Sequence, residues 1–249
     1  METFSMFVDP ASLVVVFAPL FVTCVSLWFS CKAKWNVLFR DLGVPLGLFW
    51  SVVGATGMAL NMTDVRAYGP LTSIMLLKLT YGGLVSALGY FSTFKRSNPE
   101  LQNNEKTAGL KTIAFILVAF LGLTLWAMNG AAGLAAFINP VALSVLGTTV
   151  IAAILLSDSD YRTEVLCQAS LLSAMISLVF GLIVLYRSFS GDGINEGMYE
   201  GLKIAMNGLS YGLLSYISIY IVSYKFGTTA KIDAPLMNWH WMEVTGFLI

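Results

Sequence analysis

Histidine is nearly absent: 249 residues contain one, His240. Charge is scarce too, at 11% of residues, and 14 Lys and Arg are balanced by 14 Asp and Glu. With no basic surplus and no run of like charge, the chain offers nothing to a polyphosphate, and nucleic-acid binding is excluded. The three cysteines, Cys24, Cys31 and Cys167, form no C-x-x-C pair or zinc spacing and read as small apolar packing residues. A phosphate loop and a carboxylate pair within the apolar stretches are both missing. No reaction class has a constellation to stand on, so neither an enzyme nor a cofactor or metal is expected. The opening Met1-Glu2-Thr3-Phe4 carries no basic cluster ahead of its first apolar run, which therefore reads as a retained span rather than a signal peptide.

What the chain has in abundance is apolar surface. Hydrophobic residues make up 57% of it, and a mean hydropathy of +0.77 leaves too few polar side chains to coat a soluble globule. Lipid must do the solvating. Apolar stretches long enough to cross a bilayer occur at 11–30, 44–60, 70–92, 110–129, 140–157, 166–187 and 201–224. Helices are the expectation, because a strand in lipid leaves its peptide groups unpaired. On alternate sides of seven spans, one side collects Lys32, Lys34, Arg40, Lys95, Arg96, Lys106, Lys111, Arg162, Lys225 and Lys231, and the other Arg66 and Arg187. The excess of positive charge marks the cytoplasmic side, placing the N-terminus outside and the C-terminus in the cytoplasm.

The chain also repeats itself at a spacing of 130 residues. Phe7-Val8-Asp9-Pro10 with Leu13 returns as Phe137-Ile138-Asn139-Pro140 with Leu143, and Leu79-Thr80-Tyr81-Gly82 returns as Leu209-Ser210-Tyr211-Gly212. Tyr90 and Tyr220 keep the same offset. An internal duplication accounts for it. Seven spans and a two-fold repeat are reconciled by an order of three, one and three, in which the unpaired helix 110–129 restores the second triplet to the direction of the first. The expected architecture is an all-α polytopic transmembrane bundle of two parallel three-helix repeats and one linking helix. Its parts are a first transmembrane unit at 1–93, a cytoplasmic connector at 94–109, a second unit with four helices at 110–228, and a cytoplasmic or interfacial tail at 229–249.

The stretch 112–156, with Asn129-Gly130-Ala131-Ala132-Gly133, Phe137-Ile138-Asn139-Pro140 and Leu146-Gly147-Thr148-Thr149, resembles the first two helices of flagellar stator subunits in the MotA/TolQ/ExbB proton-channel family. Val53-Gly54-Ala55-Thr56-Gly57 and the segment from Gly69-Pro70 to Tyr81-Gly82 are similar to that family's third and fourth helices. The resemblance implies a bacterial inner-membrane subunit, assembled as an oligomer or hetero-complex around a partner's single transmembrane helix with an intramembrane carboxylate. It further implies an ion path lined by threonines of the last two helices. In the register set by Tyr81-Gly82, Lys78 and Leu79 stand where those threonines would be; in the second half Gly208 and Leu209 do, with Thr80 and Ser210 the nearest hydroxyls. The family's large cytoplasmic insertion between its second and third helices is replaced by the brief loop 157–164.

Candidate site residues follow. Lys78 lies about 12 Å along its helix counted from Pro70, and a lysine ammonium at the membrane centre costs on the order of 2.5–3.5 kcal/mol, so it requires a carboxylate or a route for its stem to the interface. Gly82-x-x-x-Ser86 and Gly208-x-x-x-Gly212 are small-residue faces suited to close helix packing. Thr56, Thr72, Ser73, Thr80, Ser173, Ser177, Asn207 and Ser210 either form a polar path between helices or bond to the carbonyl one turn back. Asp9 and Asn139, each before a proline, read as helix caps. Two classes of function thus stand side by side. One is an ion-motive motor or channel subunit; the other is a secondary transporter of an ion or small solute, or a non-conducting structural subunit.

Overall fold

The computed structural model describes residues 9–60, 65–94, 107–157, 161–188 and 196–226. The connector 95–106, the loop before Glu196 and the tail with His240 lie outside them. Among the described residues the chain forms seven α-helices and no strand: α1 Pro10–Cys31, α2 Trp35–Leu60, α3 Val65–Phe94, α4 Leu110–Ala132, α5 Pro140–Leu156, α6 Arg162–Arg187 and α7 Glu196–Phe226. A 3-10 turn, Leu134–Phe137, links α4 to α5. Six of the helices are long and apolar enough to cross a membrane. The seventh, α5, has 17 residues, which at helical rise is about 26 Å and the short end of a span. The chain is a helical, multi-pass integral membrane protein.

Several helices begin earlier than the apolar pattern marks. The second starts at Trp35 rather than Val44, the third at Val65 rather than Pro70, and the last at Glu196 rather than Gly201. Hydropathy sees the part of a helix that lipid tolerates, whereas the backbone ladder runs on through polar turns as long as their side chains find partners. Asn36, Arg40 and Asp41 are such a turn.

Helix ends are fixed by local chemistry. α1 opens with Asp9 accepting the Ser12 N–H at 2.9 Å, followed by Pro10, and closes where Lys32 turns left-handed at φ 59° and donates its N–H to the Trp28 carbonyl. α5 opens the same way, with Asn139 accepting from the Ala142 N–H at 3.0 Å, followed by Pro140.

Two helices carry the centre of the bundle. α2 and α7 have 67% and 61% of their most apolar windows buried, against 39% or less for the other spanning helices. α2 buries Leu38, Leu42, Leu46, Phe49 and Val53, spaced three or four residues apart along one face. α7 meets it with Leu213, Ile217, Tyr220 and Tyr224, and Tyr216, Tyr220 and Tyr224 form a ladder of rings with centroids 6.3 and 5.9 Å apart. The linking helix α4 packs across α1, α2 and α7. It turns Ile113, Ile116 and Phe120 inward, and Phe115, Val118 and Trp126 toward lipid.

The closest helix pairs are α2 with α3 and α6 with α7. A Cβ added at Gly89 would stand 2.3 Å from the Arg40 backbone nitrogen, and one at Gly82 2.5 Å from the Gly43 carbonyl oxygen. In the second pair a Cβ at Gly181 would meet the Ala205 nitrogen at 2.5 Å, and one at Gly208 the Ser177 Cβ at 1.9 Å. Glycine at these positions is what lets the backbones touch, which in lipid supplies dispersion that water-driven burial cannot. Gly82 and Ser86 thus face α2, and Gly208 and Gly212 face α6.

Candidate functional site

The polar groups inside the bundle begin at the two caps. The Asp9 N–H donates to the Tyr81 hydroxyl at 3.2 Å, and the Asn139 N–H donates to the Tyr211 hydroxyl at 3.0 Å, each pair 72 residues apart in the chain. The Tyr211 hydroxyl in turn donates a hydrogen bond to the Phe137 carbonyl. These bonds set the start of α1 level with Tyr81 of α3, and the start of α5 level with Tyr211 of α7. The Asp9 carboxyl is held below its ordinary range by the Ser12 hydroxyl, with backbone N–H groups and the charge of Lys78 helping against partial desolvation.

Lys78 sits one helical turn from Tyr81. Counted from the observed helix start it is roughly 20 Å along α3, not the 12 Å the sequence implies. The ammonium rests over Gly54 of α2, where an added Cβ would lie 3.5 Å from Nζ. Among the described residues the ion pairs within 4.0 Å are Arg40–Asp41 and Lys203–Glu200, so Lys78 has no contacting carboxylate there and feels Asp9 only from a distance. At the positions 130 residues on, Asp9 becomes Asn139 and Lys78 becomes Gly208. The two charges belong to the first half alone.

The hydroxyls divide. Thr56 bonds to the Val52 carbonyl at 3.1 Å and Thr80 to the Leu76 carbonyl at 2.8 Å, both one turn back along their own helices. Thr72 reaches the Met58 sulfur at 3.6 Å. Thr72, Ser73 and Thr80 lie on the exposed side of α3. Asn207 and Ser210 are fully buried in the second half, with Asn207 Nδ2 donating to the Ala136 carbonyl at 3.1 Å. Asn207 Oδ1, Ser210 Oγ and Ser177 Oγ have no hydrogen-bond partner among the described residues. Ser173 is satisfied by the Ser170 carbonyl at 2.7 Å. The candidate residues therefore do not share one axis: those of α7 are enclosed, and those of α3 face outward.

One polar cluster went unmarked in the sequence. Asp41 of α2, 3% exposed, accepts from Arg40 Nε at 2.6 Å and from the Tyr220 hydroxyl of α7 at 2.7 Å. Asp41 is thus a polar link between the two central helices. Its sequence signal is Tyr216, Tyr220 and Tyr224 at four-residue spacing, whereas an apolar stretch that begins at Val44 places Asp41 outside the membrane.

Comparison with known proteins adds no relative: no protein-family description, no curated protein and no solved structure matches the chain.

Proposed function

We propose that this protein is a duplicated subunit of an ion-motive-force-driven motor or channel complex in a bacterial inner membrane. It packs around a partner's single transmembrane helix through the open side of α3, whereas α7, the other helix the resemblance points to, is enclosed. The observation that carries the reading is Lys78. It is a half-buried ammonium within an apolar span, without a carboxylate in contact among the described residues, on a helix whose other side is uncovered. Such a charge is costly unless paired, and a carboxylate on a neighbouring transmembrane helix satisfies it. The twin cap-to-tyrosine bonds support the duplication, and the small-residue seams that follow the same 130-residue offset support it too: Gly47 against Lys78 in one half, Ser177 against Gly208 in the other. The Lys and Arg asymmetry supports an outside N-terminus and a cytoplasmic C-terminus. The likeness to stator subunits rests on the short motifs given above.

Purification in mild detergent followed by native mass measurement tests this reading. The expected result is a complex containing a single-span protein with an intramembrane carboxylate, lost on Lys78→Met. A chain that purifies without companions, or a Lys78→Met variant that keeps them, contradicts it. A second reading, a secondary transporter, is favoured by the enclosed unpaired oxygens of Ser177, Asn207 and Ser210. It predicts saturable solute or ion binding by the purified chain alone.

A further inference from the structure

A groove of about 660 Å³ lies between α1 and α2, lined by Leu13, Phe17, Phe21 and Cys24 of α1, by Trp35 and Phe39 of α2, and otherwise by apolar side chains. It opens toward lipid, for Phe17 and Phe21 in its wall are 40% and 68% exposed. From Leu13 to Val25 it follows α1 for about 18 Å, the scale of one leaflet of a hydrocarbon core about 30 Å thick. Its two ends differ in charge. One turn beyond Cys24 the same face of α1 presents Trp28, and the Lys32 ammonium stands 4.6 Å from the centre of that ring. Trp35, in the groove wall, follows Lys34 in the chain. Lys32 and Lys34 are both exposed, and among the described residues neither has a carboxylate within 4.0 Å. At the other end α1 begins at Asp9. The groove thus leads from hydrocarbon past two indole rings to two ammonium groups, the order in which a lipid presents its chain, its interfacial region and its headgroup.

From this we infer that the α1–α2 groove binds one phospholipid with an anionic headgroup, its acyl chain against Phe17 and Phe21 and its phosphate against Lys32 and Lys34. A helix is the poorer occupant. Helices approach in lipid where small residues line the seam, as at Gly82 and Gly208, whereas aromatic rings wall this groove and none of its lining residues is glycine. An apolar helix would also leave both ammonium groups without a counter-charge. Each lysine near an anionic lipid contributes about a fivefold preference, so the pair gives roughly 25-fold over a zwitterionic lipid. The feature belongs to the first half: 130 residues on, Phe17, Trp28, Lys34 and Phe39 are matched by Gly147, Asp158, Glu164 and Ala169. It requires neither the proposed partner nor like orientation of the halves.

Wild type reconstituted in nanodiscs of equal parts phosphatidylglycerol and phosphatidylcholine, then released into mild detergent and weighed by native mass measurement, provides the test. One phosphatidylglycerol should remain on the 27.0 kDa chain, in roughly 25-fold excess over phosphatidylcholine. Lys34→Gln should cut that excess about fivefold, and Lys32→Gln combined with Lys34→Gln should abolish it. Arg162→Gln, which removes an equally exposed cation at the start of α6, should leave it unchanged. Ala18→Trp, which fills the groove, should release the lipid whatever its headgroup. Equal retention of the two lipids by the wild type overturns the inference, as does an excess that survives loss of both lysines or a lipid that Ala18→Trp does not displace. So does a second protein, whether another copy of this chain or a different one, that departs on Ala18→Trp while no lipid is carried. A single-span companion has a mass far above that of a lipid, so loss of the partner and loss of the lipid are read from different peaks.

Discussion

Gly82 and Gly83 are neighbours in sequence that point about 100° apart around α3, and the fold assigns them opposite sensitivities. A Cβ on Gly82 would lie 2.5 Å from the Gly43 oxygen, 2.7 Å from the Gly47 Cα and 2.9 Å from the Gly47 nitrogen. All three are backbone atoms with no rotamer to turn away. Restoring ordinary contact at about 3.5 Å opens the α2–α3 seam by close to 1 Å, and overpacking of this kind costs about 1–3 kcal/mol. The same movement stretches two bonds that cross the seam, Ser86 to the Arg40 carbonyl and Ser51 to the Met75 carbonyl, each 2.6 Å long. At a further ångström they pass the limit of a useful hydrogen bond, and each contributes about 0.5–1.5 kcal/mol net. Gly82→Ala should therefore destabilise by roughly 2–6 kcal/mol. Gly83→Ala meets open space and gains up to about 1 kcal/mol of helix propensity. Unfolding of the purified protein by increasing SDS mole fraction in mixed micelles, followed by tryptophan fluorescence, measures both. Equal midpoints for the two variants would refute the close α2–α3 packing on which the rest of the first half depends.

Gly208→Ala should be as damaging as Gly82→Ala, because its methyl would meet Ser177 Cβ at 1.9 Å, whereas Gly147→Ala on α5 should leave the same midpoint unchanged or slightly raised, like Gly83→Ala. Tyr220→Phe removes a hydrogen bond to a buried carboxylate and should cost about 1.5–3 kcal/mol. Adding Arg40→Met with Asp41→Leu, which replaces the whole ion pair by apolar side chains, should recover most of that loss, since such a replacement of a buried pair is often neutral; no recovery in the combined variant would show that the pair serves α2 independently of Tyr220. Asp9 has its folded pKa lowered, so its contribution is complete at neutral pH and is lost only as pH falls below the unfolded value of 3.8. Thermal unfolding scanned from pH 7 to pH 3 should show that acid-side loss in the wild type and a smaller one in Asp9→Asn, which keeps the cap.

Periodic chemistry was legible before the fold was. Apolar length located all seven helices, Asx-Pro pairs located the starts of α1 and α5, and glycine spacing located the seams at Gly82 and Gly208. These signals are local: each needs only a few adjacent residues and the helical repeat. The site was less legible because it depends on rotation and depth. The Thr80 and Ser210 positions match in sequence, yet one faces outward and the other is enclosed, since α7 is wrapped by the first half and α3 is not. Asp41 is hidden in the sequence for a related reason. A carboxylate reads as a membrane boundary until a tyrosine 179 residues away is seen to bond to it.

The like orientation of the two helix triplets is the claim on which the reading of a duplicated subunit rests, and thiol labelling from either side of sealed vesicles reaches it directly. With the native cysteines replaced by alanine, Lys34→Cys before α2 and Arg162→Cys at the start of α6 should react from one side, and Asn129→Cys at the end of α4 from the other. Labelling of positions 34 and 162 from opposite sides would contradict the account.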